Sequence, residues 1–240
     1  MPPDWLRQGG GCCRIAVLMT RIAFIHTVAG LTEKFRALAN TSLAGMDVFH
    51  LLDESLLQDL IRQTPLSGIA KRLVTLIGLA VEGRAELVVF TCSSTSPLVD
   101  LARPLFTVPI LKVDDPMAAK AAQLGGRIGI LCTTPSTVTP SSELVRYHAR
   151  ALGREATVEA VLVPDAFAVL QQGEGDRHDT LVQDAALDLA ARSDVIVLAQ
   201  ASMAHLAQPL ARRLSLPVLS SPPILIETLQ SRVADARGPG

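Results

Sequence analysis

Four polar clusters in this sequence combine residue types that handle protons or anions, and each follows a run of aliphatic residues. The first is Thr91-Cys92-Ser93-Ser94-Thr95-Ser96-Pro97, after Leu87 to Phe90. A thiol between a strand and a helix start meets free N–H groups and a helix dipole, which favour an anion and so a thiolate. The hydroxyls and amides that follow suit a carboxylate. A small buried cysteine filling a gap is the competing reading of the same position. The second cluster runs from Cys132 through Thr133, Thr134, Pro135, Ser136 and Thr137 to Pro140. It makes an anion cradle, though such residues are equally ordinary caps and loops. The third is His26-Thr27, where a lone histidine at a strand end is more often structural. The fourth is Gln200-Ala201-Ser202-Met203.

Other chemistries lack their motifs. Gly9-Gly10-Gly11 is not a dinucleotide fingerprint, and there is no Walker lysine loop. No G-x-S-x-G nucleophile elbow occurs. The four cysteines show no metal-ligand spacing. His50, His148 and His178 fall in polar or helical settings and read as surface residues, as does His205, one turn beyond Gln200.

The elements that must hold these clusters repeat within the chain. Arg21 to Thr27 overlays Arg127 to Thr133, and Glu86 to Leu111 overlays Asp194 to Leu219 without a gap. The two overlays are displaced by nearly the same distance, which argues for duplication. Each copy reads as strand, helices, strand, polar turn, helix and short strand. Strands are expected at Ile22 to Ile25, Leu87 to Phe90, Val108 to Val113, Ile128 to Leu131, Val195 to Leu198 and Pro217 to Leu219. Helices are expected from Leu66 to Glu82, from about Pro97, from Ser141 to Leu152 and from Ile224 to Val233. Alternation of this kind predicts an α/β fold of two pseudo-symmetric Rossmann-like lobes, each a mainly parallel sheet flanked by helices. Ligands of open α/β sheets sit at the C-terminal strand ends, which places the site in the cleft between the lobes. The expected divisions are an N-terminal extension over 1–18, a first lobe over 19–113 to which 220–235 returns, a second lobe over 114–219, and a tail over 236–240.

Composition agrees. The hydrophobic fraction of the 240 residues is 49% and the aromatic fraction only 3%, so the core must be aliphatic, as in buried parallel strands. A net charge of -1 without long runs of one sign argues against nucleic acid or membrane partners. Apolar stretches too short for a bilayer and a first segment unlike a signal peptide lead us to expect a cytoplasmic protein.

The strand ending in Thr91-Cys92-Ser93-Ser94-Thr95, the Arg127-Ile128-Gly129-Ile130-Leu131 strand with Thr133 to Thr137, and Leu198-Ala199-Gln200-Ala201-Ser202-Met203-Ala204 together resemble the aspartate/glutamate/hydantoin racemase superfamily. The resemblance runs from Met19 to about Val233. It implies a site between two lobes, no cofactor and no metal, and a small carboxylic acid as substrate; a homodimer follows by the same analogy. It also implies two facing cysteines that act on opposite faces of a stereocentre. Cys92 matches the first, but Gln200 stands where the second should be, and the internal repeat pairs the same two positions. Glutamine neither takes nor returns a proton near neutral pH. A related branch, the arylmalonate decarboxylases, keeps one cysteine, although at the other position.

Three functions are therefore expected to compete. One is a cofactor-independent racemase or isomerase of a small amino acid, hydantoin or related acid, with water or His26 serving the second face. Another is a lyase that decarboxylates a malonate-type acid with Cys92 alone. The last is a non-catalytic binder of small carboxylates. In the first two Cys92 moves the proton and Gln200 donates a hydrogen bond. His26, Thr27, Ser93, Ser94, Thr95, Thr133, Thr134, Ser136, Thr137, Ala201 and Ser202 are the candidate substrate contacts.

Overall fold

A computed structural model describes residues 20–237; the extension expected over 1–18 and the end of the expected tail lie outside them. The first lobe opens with β1 (Arg21–His26), α1 (Ala29–Ser42), β2 (Asp47–Leu52), α2 (Glu54–Ile61) and α3 (Leu66–Glu82). It continues with β3 (Leu87–Phe90), a 3-10 turn (Ser93–Thr95), α4 (Ser96–Ala102), a second 3-10 turn (Arg103–Leu105) and β4 (Ile110–Lys112). All pairings are parallel, in the order β2-β1-β3-β4.

The second lobe repeats this plan. α5 (Asp115–Leu124) leads into β5 (Arg127–Cys132), α6 (Pro135–Ala151), β6 (Thr157–Leu162), α7 (Pro164–Gln171) and α8 (Gly175–Ala190). Then come β7 (Val195–Leu198), a 3-10 stretch (Ala201–Leu206), α9 (Ala207–Leu214), β8 (Val218–Ser220) and α10 (Ser221–Arg237). Its parallel sheet has the order β6-β5-β7-β8, the same order with each strand replaced by its copy. The two-lobed α/β architecture predicted from the repeat is thus present.

Three details differ from the sequence reading. The edge strands β2 and β6 were not predicted. Each is only half-buried, and their mixed sequences DVFHLL and TVEAVL lack the aliphatic runs that betray the central strands. α6 begins at Pro135 rather than Ser141 and carries Pro140 inside it. Proline is well placed at the first helical position, and the one hydrogen bond lost at Pro140 is offset by burial of Leu144, Val145 and Ala149. His178, read as a surface residue, is buried against the Asp179 carboxylate, its Nδ1 2.8 Å from Oδ1.

Every sheet has an apolar layer on both faces, as parallel sheets require. In the first lobe Ala23, Ile25, Val88 and Phe90 face α3 and α4, while Ile22, Phe24, Leu87 and Val89 face α1. In the second, Ile128, Ile130, Val195 and Val197 face α5 and α6, and Leu131, Ile196 and Leu198 face α8 and α9. Each fully buried aliphatic or phenyl side chain contributes roughly 1.5–3 kcal/mol. Gly129 lets β5 approach α8, since a Cβ there would lie 2.6 Å from Ser193 Oγ and 2.7 Å from Leu189 Cδ2.

α10 knits the lobes together. Its Leu225, Ile226 and Leu229 join the α1 face of the first lobe, and its Ile224 joins the α5–α6 face of the second. Gln230 Nε2 donates to Ser42 O at 2.6 Å. A second clasp forms around Asp115, which meets Arg103 at 2.5 Å and Lys112 at 3.7 Å from the first lobe and His148 at 3.3 Å from α6. No described helix is long and apolar enough to cross a membrane.

Candidate active site

β3 delivers Cys92 to the seam between the lobes. Its pairing with β1 extends one residue past the strand, where Thr91 N donates to Ile25 O at 3.1 Å. Cys92 is still extended, with φ -116° and ψ 114°, and then the chain tightens into the 3-10 turn. That turn is fastened by Thr95, whose hydroxyl and N–H both donate to Cys92 O, at 2.8 Å and 3.3 Å. Thr95 is therefore turned inward, while Ser93 and Ser94 are only half-buried. Ser94 Oγ shares a 3.1 Å hydrogen bond with Ser136 Oγ of α6, so the thiol turn touches the opposite lobe. Cys92 is a free thiol with 9% of its surface exposed.

His26, at the end of β1, lies behind this turn and is fully buried. Its Nδ1 is 2.8 Å from Thr91 Oγ1 and its Nε2 is 2.9 Å from His50 Nδ1 on β2. Thr91 already donates its hydroxyl proton to Ile25 O at 3.2 Å, so it accepts from His26 Nδ1–H. His26 Nε2 then accepts from His50. The network assigns the tautomers. Burial, with the nearby His50 and Arg36 charges, holds the His26 imidazolium down at about 4. His26 is consequently neutral, and both ring nitrogens are engaged by the protein rather than open to a substrate. Thr27, next along, is buried with its hydroxyl unpartnered.

In the second lobe Gln200 has the position that Cys92 has in the first: two residues past a central strand, extended, heading a 3-10 segment. Its carboxamide is clamped. Oε1 accepts from Thr133 N at 2.5 Å and from Thr133 Oγ1 at 3.1 Å, and Nε2 donates to Thr134 Oγ1 at 3.2 Å. Thr137 Oγ1 in turn donates to Thr134 O at 2.9 Å. Thr133 and Thr137 are buried, Thr134 half-buried and Ser136 exposed. Cys132 is fully buried beneath them, and burial pushes its thiol up, which makes it a packing residue. Ala201 and Ser202 are half-buried at the start of the 3-10 stretch.

Two residues that the sequence reading passed over lie beside these turns. Lys34, on α1 of the first lobe, crosses to the second and donates from Nζ to Ala201 O at 2.8 Å. Among the described residues no carboxylate forms an ion pair with it, and burial pushes its ammonium down. A single lysine on a helix carries no signal in sequence. Asp114, just beyond β4, is buried behind the Cys92 turn. Ser96 donates to its Oδ1 at 3.3 Å, and Oδ2 has no partner. Burial, then the Asp115 charge, pushes this carboxyl up against the pull of Lys112. Ser220, at the end of β8, is a further buried unpartnered hydroxyl. Polar atoms left unpaired inside a protein cost about 1–3 kcal/mol each.

A groove of about 710 Å³ follows β4 and α10, lined by Arg103, Asp115, Lys120, His148 and Glu227 among others. None of the expected site residues lines it, and its Arg103 and His148 are both already paired with Asp115.

The comparisons with known proteins agree with the two-lobed fold. By sequence, no curated protein is significantly similar to the chain. Solved structures share its fold at low identity. An allantoin racemase from Klebsiella pneumoniae is 20% identical over 90% of this chain and 89% of its own, with a TM-score of 0.65. A glutamate racemase from Aquifex pyrophilus is 20% identical over 88% and 83%, with a TM-score of 0.64. An aspartate racemase of Picrophilus torridus is 11% identical over 84% and 89%, with a TM-score of 0.60. The family model described as Asp/Glu/Hydantoin racemase matches residues 24–229. Covering nearly all of both lobes, that match establishes that the chain belongs to the Asp/Glu/hydantoin racemase family.

Proposed function

We propose that this protein is a racemase of a small amino acid, hydantoin or related carboxylic acid, and that it moves the α-proton with Cys92 and without a cofactor. Family membership supports the reaction class. The observation that carries the residue assignment is the position of Cys92, a free thiol heading the turn that touches the opposite lobe through Ser94 and Ser136.

The physical task is to stabilise a carbanion beside a carboxylate. Donors aimed at the developing charge are worth roughly 3–4 kcal/mol each. In this reading the half-buried Ser93 and Ser94 and the Thr133–Thr134 loop supply them, with Lys34 as the neighbouring cation. A positioned thiol adds roughly 10²–10⁴-fold as general base or acid. Gln200, held by Thr133 and Thr134, shapes the loop and donates no proton.

The test is a panel of enantiopure amino acids, hydantoins, maleate and substituted malonates, followed by NMR in deuterated buffer. Racemisation with deuterium entering the α-carbon is expected for at least one member. Release of CO₂ from a malonate without racemisation of any member would replace this reading with the lyase. Binding without turnover across the panel would leave a carboxylate-binding protein.

A further inference from the structure

Racemisation needs a proton-handling group on each face of the stereocentre, and the second lobe offers none at the expected position. Gln200 is an amide whose oxygen and nitrogen are both engaged. His26 is neutral and saturated, with one nitrogen on Thr91 and the other on His50. Cys132 is sealed beneath the loop. Lys34 remains: its amine comes from the first lobe yet ends 2.8 Å from Ala201 O, at the residue next to Gln200.

We infer that Lys34 is the second acid–base residue, serving the face of the substrate opposite Cys92 in place of the thiol that Gln200 does not supply. The inference rests on the racemase reading of the Cys92 seam. Three observations support it. The amine spans the seam between the lobes and reaches the Gln200 turn at Ala201 O, 2.8 Å away, whereas the His205 ring of that turn is tied to Asp179 at 2.7 Å. It has no carboxylate partner among the described residues, so its proton is not locked in an ion pair. Its half-buried setting destabilises the ammonium, which brings the amine form closer to working pH.

The step balances. In one direction the Cys92 thiolate takes the α-proton, the C–H electron pair moves into the carboxyl group as an enediolate, and the Lys34 ammonium returns a proton to the other face. In the reverse direction the neutral Lys34 amine abstracts the proton and the Cys92 thiol returns one. The thiol and amine then regain their starting states by exchange with water.

Two single variants separate the faces. Lys34→Gln keeps a polar side chain without an acid–base function, and Cys92→Ala removes the thiol. Each enantiomer of the substrate found in the panel is incubated in deuterated buffer, and α-deuterium and enantiomeric excess are read separately. With Lys34→Gln, racemisation is expected to fall at least about 10²-fold, while the enantiomer facing Cys92 still exchanges its proton with retention. Cys92→Ala is expected to show the mirror pattern, with the other enantiomer exchanging. If Lys34→Gln racemises like the wild type, or slows both enantiomers equally through KM alone, Lys34 is at most a carboxylate ligand and the inference fails. Absence of exchange by the wild-type protein with every panel member overturns both this inference and the racemase reading. Unchanged melting of both variants excludes misfolding as the cause of a loss.

Discussion

Acidification should cost this protein more stability than it costs a variant without the His26 imidazole. The ring is fully buried between Phe24, Phe35, Thr91 and His50, with Arg36 and Glu33 nearby on α1. Its pKa is lowered from 6.5 to about 4 in the folded state. The unfolded chain therefore binds a proton that the folded chain resists as pH falls through that window. The sign follows from linkage: the stability is whole above about pH 6.5 and drains as pH falls toward 4. The full depression corresponds to about 3 kcal/mol, of which about 2 kcal/mol should be lost between about pH 7.5 and 5. Urea unfolding followed by circular dichroism at those two pH values measures it. His26→Phe keeps the ring volume and its stacking while removing the titration. It should be less stable than the wild type at pH 7.5, since the Thr91 and His50 groups lose a partner, yet it should lose markedly less on acidification. His50→Phe separates the contribution of the coupled ring. Equal acid losses in wild type and His26→Phe would refute the assignment of a neutral, doubly engaged His26.

Three further outcomes follow from the same network of contacts. Asp115 is driven up by burial but held down at about 2 by His148, Lys112 and Arg103, so Asp115→Ala should cost about 1–3 kcal/mol, because His148 and the Lys112 N–H lose their acceptor while the Lys112 ammonium and Arg103 keep Asp100, read as a fall in the urea midpoint. Asp114 is a carboxyl pushed up by burial, whose cost is absent below the unfolded pKa and grows as pH rises. Asp114→Asn should therefore gain on the wild type from pH 4 to pH 8, and a constant difference in urea midpoint would contradict this. Gln200→Leu leaves Thr133 N without its acceptor and should cost about 1–3 kcal/mol, measured by thermal melting, with KM raised more than kcat falls.

Much of the architecture could be read before any coordinates. The buried strands LVVF and VIVL and the helix from Leu66 to Glu82 fall where their aliphatic runs place them. The duplication foretold two similar lobes, each with a mainly parallel sheet. β2 and β6 escaped because half-buried sequences look like loops, and the start of α6 escaped because hydroxyls and prolines suit a cap as well as a coil. The candidate site was legible as a set of clusters at strand ends, since those ends are where Ser and Thr replace Val and Leu. Side-chain direction was not. Nothing in the order of residues says that Thr95 folds back on Cys92 O, that His26 is claimed by His50, or that His178 turns inward. Lys34 and Asp114 are brought to the site from α1 and the β4 end by tertiary packing alone, which leaves no local pattern.

The most direct measurement of the account compares α-proton exchange in deuterated buffer by the wild type and Cys92→Ala, using the enantiomer that the Cys92 face processes. Loss of at least about 10²-fold is expected, with the circular dichroism spectrum and melting unchanged. Exchange that continues undiminished without the thiol would contradict the account at its centre, leaving the family and the fold but no role for Cys92.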